Sequence, residues 1–321
     1  MALWLSAMTS NPDSATTPTV AILVLNYHQP EATLACVQSL LAREGTGTRV
    51  IWIENDAAQS RGRAETLLND SGIQWTQVNP SIDPLPPAGT VAYLPNPENL
   101  GYGGGNNVGL RWIHRLGVPF AWVLNNDTLL RAGSSAELVS AAEARPEVGL
   151  WGMRILSDVF EGYIGGLIKM KDFGVLYIGD PDLLDNPHTF ISGCTMFMRT
   201  ELAASVGFIP EEYFLYYEDP AFSLEIRRRG HRLSVVPEVE VFHHENFSTG
   251  RRSPLTEYYN RRNRWHFIRT YFPEKFKRQV FREPYVLQRF LFRGKLDRIR
   301  IEYLAWKDYQ GGRLGRCTRK L

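Results

Sequence analysis

Two short segments of this 321-residue chain carry residue types that could meet a phosphate group. The first, Gly101-Tyr-Gly-Gly-Gly105-Asn-Asn-Val-Gly109, is glycine-rich. Glycine lets the backbone come close to an anionic ligand, and at a helix start the amides point toward it. A plain turn is the other reading of the same residues. The dinucleotide fingerprint G-x-G-x-x-G fails because position 106 is Asn and because the first apolar run leads into Asn26-Tyr27 instead of glycines; the Lys-Ser/Thr ending of a P-loop is also missing. The second segment, Asn125-Asn126-Asp127, directly follows the apolar run Phe120–Leu124. An Asp in that place caps a helix or closes a turn. Opposite a glycine-rich segment it could instead hold a divalent cation that neutralises a diphosphate leaving group.

These segments need elements to position them. Val20–Leu25 is continuously apolar, as expected of a strand buried on both faces, and Glu31–Ala42 is helical in pattern with Leu34, Val37, Leu40 and Leu41 on one face. Val50–Ile53, Val91–Leu94 and Phe120–Leu124 predict further strands, with a proline-rich loop at 79–90 and a helix over Val108–Leu116. Strands alternating with helices give an α/β class with a mainly parallel sheet. The polar clusters fall at the carboxyl ends of strands, where such sheets bind ligands. Beyond residue 149 the pattern is less regular. Phe190–Met198 and Arg232–Val236 predict strands, Glu201–Val206 and Phe222–Arg229 short helices, and the chain turns helical, basic and aromatic from Tyr258 onward.

The composition is that of a globular protein: 44% hydrophobic and 22% charged residues, which excludes disorder and collagen. Three well-separated cysteines (Cys36, Cys194, Cys317) make neither a disulfide framework nor a zinc spacing, so a reducing cytoplasm is expected. No apolar run approaches the roughly 20 residues of a membrane span, and Met1–Met8 lacks the basic start of a signal peptide. The net charge of +2 hides an asymmetry: residues 1–250 hold 16 Lys+Arg against 28 Asp+Glu, and residues 251–321 hold 20 against 6. A basic tail of this kind faces nucleic acid, an anionic membrane or a lipid phosphate, or docks on its own acidic body.

Taken in order, the motifs resemble the family 2 glycosyltransferases. They are the apolar strand with Asn26-Tyr27, then Glu54-Asn55, Asn99–Gly109 and Leu124–Thr128. There follow Ile191–Arg199, Tyr213–Asp219, Arg227–His231 and Val241–Gly250, and Tyr258–Asn263 is similar to an element of the rhamnosyltransferase-like branch. The resemblance implies a GT-A fold, that is, a Rossmann-like and mainly parallel sheet with helices on both faces, followed here by a basic helical C-terminal region. It divides the chain into a flexible N-terminus (1–18), a catalytic domain (19–250, with a nucleotide-sugar half at 19–130 and an acceptor half at 131–250) and the basic aromatic region 251–321.

The same resemblance implies an inverting enzyme that takes a sugar from a nucleotide-sugar donor, read as dTDP-rhamnose with UDP-linked sugars as nearest rivals. The acceptor would be a glycan or lipid-linked glycan. Asn26, Tyr27, Glu54 and Asn55 would line the base and ribose, Asn99, Gly101, Gly105 and Asn106 the loop beside the donor, and Asn126 and Asp127 its phosphate end. Asp219 would be the general base, with Glu218 orienting it or binding acceptor. Asp127 and His243 would hold Mn²⁺ or Mg²⁺. The chemistry suits these types, since an acceptor hydroxyl needs a carboxylate to take its proton as the bond forms. Pro220 biases Asp219 toward extended backbone, as for a loop residue aimed into a cleft, while an acidic helix start is the plainer reading of Glu218-Asp219.

This sequence departs from the family pattern in several places. The metal element has a single carboxylate, and an imidazole ligand would favour Mn²⁺ over Mg²⁺. Ala221 and Pro210 stand where acids are common, which bears on acceptor recognition. Arg261 stands where processive synthases show Gln, which points to transfer of one or few sugars. The tail is read as contacting an anionic membrane surface in preference to nucleic acid, and the oligomeric state is left open. Two rivals stand beside this reading: a catalytically silent nucleotide-sugar or glycan-binding module, and a basic-tailed nucleic-acid binder that leaves the Glu-Asp and Asn-Asn-Asp motifs unexplained.

Overall fold

The computed structural model describes residues 19–45, 47–158, 160, 162–244, 253–319 and 321. The expected flexible segment 1–18 and the end of the Val241–Gly250 motif, 245–250, lie outside the described residues.

The first half alternates as the sequence predicts: β1 (Val20–Asn26), α1 (Pro30–Leu41), β2 (Thr48–Asn55), α2 (Ala57–Asp70), β3 (Trp75–Gln77), β4 (Val91–Asn96), α3 (Gly101–Arg115) and β5 (Phe120–Asn125). There follow β6 (Thr128–Ala132), α4 (Ser135–Ala144), β7 (Val148–Leu156), β8 (Gly165–Ile168), β9 (Val175–Ile178), β10 (Thr189–Ile191), β11 (Thr195–Arg199), α5 (Thr200–Ser205), α6 (Glu218–Arg228) and β12 (Arg232–His243). Three helices close the chain: α7 (Pro254–Tyr271), α8 (Pro273–Phe292) and α9 (Leu296–Gln310).

Nine strands form one sheet in the order β3-β4-β2-β1-β5-β11-β7-β12-β6, and β10-β8-β9 form a small antiparallel one. The five strands of the first half pair in parallel, β11 runs antiparallel to both β5 and β7, and β12 is again parallel to β7. Side chains alternate between the two sheet faces. Val20, Ile22 and Val24 of β1 enter one core cluster, and Ala21, Leu23 and Leu25 enter the other. That is why β1 reads as an unbroken apolar run. Trp122 of β5 is fully buried, and its indole N–H donates to Thr195 Oγ1 on β11 at 2.9 Å, pinning the register of that pair.

Three sequence expectations need correction. The expected strand Phe190–Met198 is two strands, β10 and β11, which belong to different sheets and are separated by the turn Ser192-Gly193-Cys194. The glycine-rich segment is not a loop, because α3 starts at Gly101 itself. Asp219 is not in extended backbone: it lies in the first turn of α6 with Pro220 behind it. Proline is tolerated there because the first-turn N–H groups have no partner within the helix.

Candidate active site

The carboxyl end of β1 is held by a buried polar network. Asn26 donates from Nδ2 to both oxygens of Glu54 on β2, at 2.8 and 2.9 Å. Glu54 also accepts from Trp52 Nε1 at 3.0 Å and from the Ser60 hydroxyl. Asn126 closes the network from β5, donating to Asn26 Oδ1 at 3.2 Å and Thr33 Oγ1 at 3.1 Å. Asn26 and Glu54 have no exposed surface, so they build the floor of the cleft from below, whereas Tyr27 beside them is 37% exposed.

Asn55, at the end of β2, grips the start of α3. It donates to Asn99 Oδ1 and to the Gly101 carbonyl, both at 3.1 Å, and accepts from Leu100 N at 3.1 Å. Gly101 has φ +77°, and a Cβ there would lie 2.3 Å from the Phe214 carbonyl oxygen. Glycine is therefore required twice over at this position, by conformation and by space. Gly105 and Gly109 serve packing: a Cβ would lie 2.6 Å from Leu25 Cδ1 and 2.0 Å from Leu23 Cδ2 respectively, so α3 rests directly on β1. Asn106 is wholly buried, donating to the Tyr102 carbonyl at 3.0 Å.

Asp127 follows β5 and meets His243, at the end of β12, with Oδ1 3.2 Å from Nε2. The other ring nitrogen of His243 is 3.1 Å from the Tyr163 hydroxyl. Apart from the His243 contact, Asp127 Oδ1 is buried without a hydrogen-bond partner among the described residues. Burial disfavours the charged imidazole, but Cys194 and the Asp127 carboxylate outweigh it and lift His243 to about 11. The pair offers one carboxylate and one imidazole, and no group of three or more His, Cys, Asp or Glu among the described residues is arranged to hold a metal ion. In the structure the two form an ion pair; a cation would have to displace the proton on His243 Nε2, after which one carboxylate and one neutral imidazole are donor types that suit Mn²⁺.

Glu218 and Asp219 are delivered to the cleft by the loop between α5 and α6. Asp219 Oδ2 accepts from Gly193 N at 2.9 Å, and the Gly193 carbonyl accepts from the Tyr102 hydroxyl. The Gly193 turn thus lies between the acidic pair and α3. Its next residue, Cys194, accepts at its carbonyl from Asn125 N at 2.9 Å. The turn therefore links the Asp219 end of the cleft to the Asp127 end. Asp219 is half-buried, while Glu218 is only 6% exposed and its Oε2 has no hydrogen-bond partner among the described residues. Burial pushes Asp219 up to about 6, against the pull of the Gly193 amide. Burial and the neighbouring Asp219 charge push Glu218 up to about 8. Burial thus lifts both carboxyls of the pair above the usual carboxylate range, the kind of perturbation that marks a functional site.

Sequence reasoning gave no role to three residues that the structure brings to this site. Tyr102 is close enough to Glu218, Asp219, Cys194 and Asp127 that, after burial, these groups raise its hydroxyl pKa further. Asn263 on α7 donates from Nδ2 to the carbonyls of Tyr213, Leu215 and Tyr216, each at 2.8 Å, and Arg262 donates to Tyr213 O at 3.0 Å. The loop they hold is strained, with left-handed φ at Phe214 (65°), Tyr216 (69°) and Tyr217 (76°). The one available signal was the Tyr258–Asn263 motif, which pointed to a family and not to a contact.

A family profile described as "Glycosyltransferase like family 2" matches residues 18–267. Among curated proteins, the chain is 29% identical over 207 residues to the N-acetylglucosaminyl-diphospho-decaprenol L-rhamnosyltransferase of Mycobacterium tuberculosis, a match covering 54% of this chain and 66% of that protein. It thus spans just under two thirds of that relative's length. It is 24% identical to the low-salt glycan biosynthesis hexosyltransferase Agl10 of Haloferax volcanii, over 67% of this chain and 72% of that one. Among solved structures, GalNAc-T7 with UDP, GalNAc and Mn²⁺ superposes with a TM-score of 0.54 at 12% identity, over 84% of this chain and 55% of that one. The mannosyltransferase PcManGT of Pyrobaculum calidifontis, in complex with GDP-Man and Mn²⁺, gives 0.52 at 13% identity over 97% and 79%. At such identities these two structures establish the fold, which is of GT-A type.

Proposed function

The chain belongs to the glycosyltransferase-like family 2, and from that footing we propose that it is an inverting glycosyltransferase moving rhamnose from dTDP-rhamnose to a hydroxyl of a lipid-linked glycan. The rhamnosyltransferase likeness supports the donor sugar, and that relative's diphospho-decaprenol substrate supports the acceptor class. In this reading residues 19–130 hold the donor, 131–250 meet the acceptor, and 251–321 form a basic helical region, packed on the acceptor half through α7, that works at the inner face of the cell membrane. Among the described residues no helix is long and apolar enough to cross a membrane.

The observation that carries the mechanism is Asp219: a partly buried carboxylate aimed by the Gly193 amide and joined through the 192–194 turn to the strand that ends before Asp127. Asp219 takes the proton of the acceptor hydroxyl as its oxygen bonds to the anomeric carbon. The bond from that carbon to the diphosphate breaks on the opposite face, so the configuration inverts in one displacement. Glu218, buried beside Asp219 with its pKa raised, orients the acceptor or its neighbour. Tyr27 presents its ring to the nucleotide, and Asn26, Glu54, Asn55, Asn126 and the Asn99–Gly101 turn fix the shape of that half. Asp127 and His243 would hold the divalent cation, whose charge would offset that of the diphosphate leaving group. Asp219→Asn should keep the thermal stabilisation given by dTDP with Mn²⁺ and lose most transfer. A variant with near wild-type turnover would remove Asp219 from the role of base.

A further inference from the structure

Helices α8 and α9 form a hairpin whose two sides differ. The inner side is tied to α7: Arg264 meets Glu283 at 3.2 Å, Arg261 meets Glu302 at 2.8 Å, and the Trp265 ring packs against Phe276 and Trp306 with centroids 5.9 and 4.7 Å away. These contacts account for two of the tail's aromatic residues, Phe276 and Trp306. Among the described residues the outer side has no such partner. Phe281, Tyr285 and Phe292 are 83%, 66% and 80% exposed, and their spacing along α8 puts them on one face. At the turn into α9, Leu291 and Leu296 are 58% and 64% exposed.

Exposed apolar side chains concentrated in this way mark a contact surface and not ordinary scatter. Charge identifies the partner. Residues 275–300 contain nine Lys or Arg and two acids, Glu283 and Asp297, of which Glu283 points inward onto Arg264. A second copy of the chain would bring this basic face against its own equivalent, since a twofold interface repeats the same patch. Single-stranded nucleic acid would use the rings for stacking, but the aliphatic tip, Leu291 and Leu296, has no such use. Aromatic and aliphatic side chains flanked by Lys and Arg are instead what the headgroup boundary of an anionic bilayer accepts.

We propose that the outer face of the α8–α9 hairpin, led by Phe281, Tyr285, Leu291, Phe292 and Leu296, docks the protein on an anionic phospholipid surface. Helix α7 joins the hairpin to the loop ahead of Glu218, since Asn263 holds the loop and Arg261 and Arg264 of the same helix hold the hairpin, and Ile301 and Ala305 of α9 pack in one cluster with Phe214 of the loop. Docking there places the acceptor half of the site beside the membrane. This deepens the reading of a lipid-linked acceptor and rests on it for that purpose only.

The test is flotation of the full chain with vesicles of phosphatidylcholine, with and without phosphatidylglycerol, at low and high salt. The expected result is binding to the anionic vesicles that weakens with salt. Arg289→Gln with Lys295→Gln should lower the partition about thirtyfold at low salt, taking about 1 kcal/mol per basic residue at an anionic surface. Phe281→Ser with Phe292→Ser should abolish stable binding while Mn²⁺-dependent release of dTDP from dTDP-rhamnose stays at the wild-type rate. Wild-type binding by both double variants would overturn the proposal. So would binding to homopolymeric RNA that the anionic vesicles fail to compete, or a dimer in solution that Phe281→Ser dissociates. Vesicle binding without any dTDP release would uphold this surface and remove the proposed reaction.

Discussion

Replacing Asn263 by alanine should disconnect the proposed base from its support. Asn263 is fully buried, and its carboxamide nitrogen is 2.8 Å from the carbonyls of Tyr213, Leu215 and Tyr216. Alanine would leave Tyr213 with its contact to Arg262 and leave the other two without this donor. The Leu215 and Tyr216 carbonyls are part-buried, so losing this donor costs about 1–3 kcal/mol for the two together. Phe214, Tyr216 and Tyr217 add a reason for the loop to move, since a left-handed non-glycine residue costs about 1–3 kcal/mol to maintain. Against a total stability of about 5–15 kcal/mol the variant should still fold, with the loop rearranged. A Tm lowered by about 2–6 °C follows from the usual 2 °C or so per kcal/mol in a chain of this size. Because a catalytic group displaced by about 1 Å can cost about a hundredfold, kcat should fall at least tenfold. The KM for donor should barely change, as Asn263 touches none of the β1–β5 strand ends. Urea unfolding and steady-state release of nucleoside diphosphate read the two effects separately. A kcat within about twofold of wild type, or an equal loss of donor affinity, would refute the reasoning.

Four further outcomes follow from the structure. Gly109→Ala would drive a methyl group to 2.0 Å from Leu23 Cδ2 and 2.9 Å from Ile53 Cδ1, and should cost about 1–3 kcal/mol as overpacking, measured by urea unfolding. Because burial raises Asp219 to about 6, kcat/KM should climb as pH rises through that value and then level. The stability of the fold should move the other way. A carboxyl raised in the folded state favours folding below its unfolded pKa and loses that contribution as pH rises through the folded one, so Glu218→Gln should be more stable than wild type above about pH 8, by thermal unfolding. Asp127→Ala should abolish the Mn²⁺-dependent part of the thermal shift given by dTDP and leave the metal-independent part.

The alternation of the first half was legible because β1, β2, β4 and β5 are apolar on both faces and end in polar clusters. Helix α2 was not, since its buried side is Ala57, Ser60, Ala64 and Leu68, a stripe too small and too polar to give a periodic signal. In the glycine-rich segment a helix start is legible, but not that the helix already runs through all of its glycines. What decides its structure is the close approach of Leu23 and Leu25 to Gly109 and Gly105, a tertiary contact with no local trace. The motifs put Asp127 and His243 on the same short list, and the structure sets them 3.2 Å apart. The loop ahead of Glu218 was opaque for the opposite reason. Bulky residues with positive φ contradict their local preference, and the side chain that holds them there, Asn263, lies at a sequence distance of 47 to 50 residues from the carbonyls it bonds.

The most direct test of glycosyl transfer from a nucleotide sugar is the release of dTDP from dTDP-rhamnose by the full chain, with Mn²⁺ and a lipid-diphosphate-linked N-acetylglucosamine acceptor. The expected result is acceptor-dependent release, lost on chelation and in Asp219→Asn, with the product's anomeric configuration inverted by NMR. Nucleotide binding without release from this or any UDP-linked sugar would contradict the account and leave a silent binding module in its place.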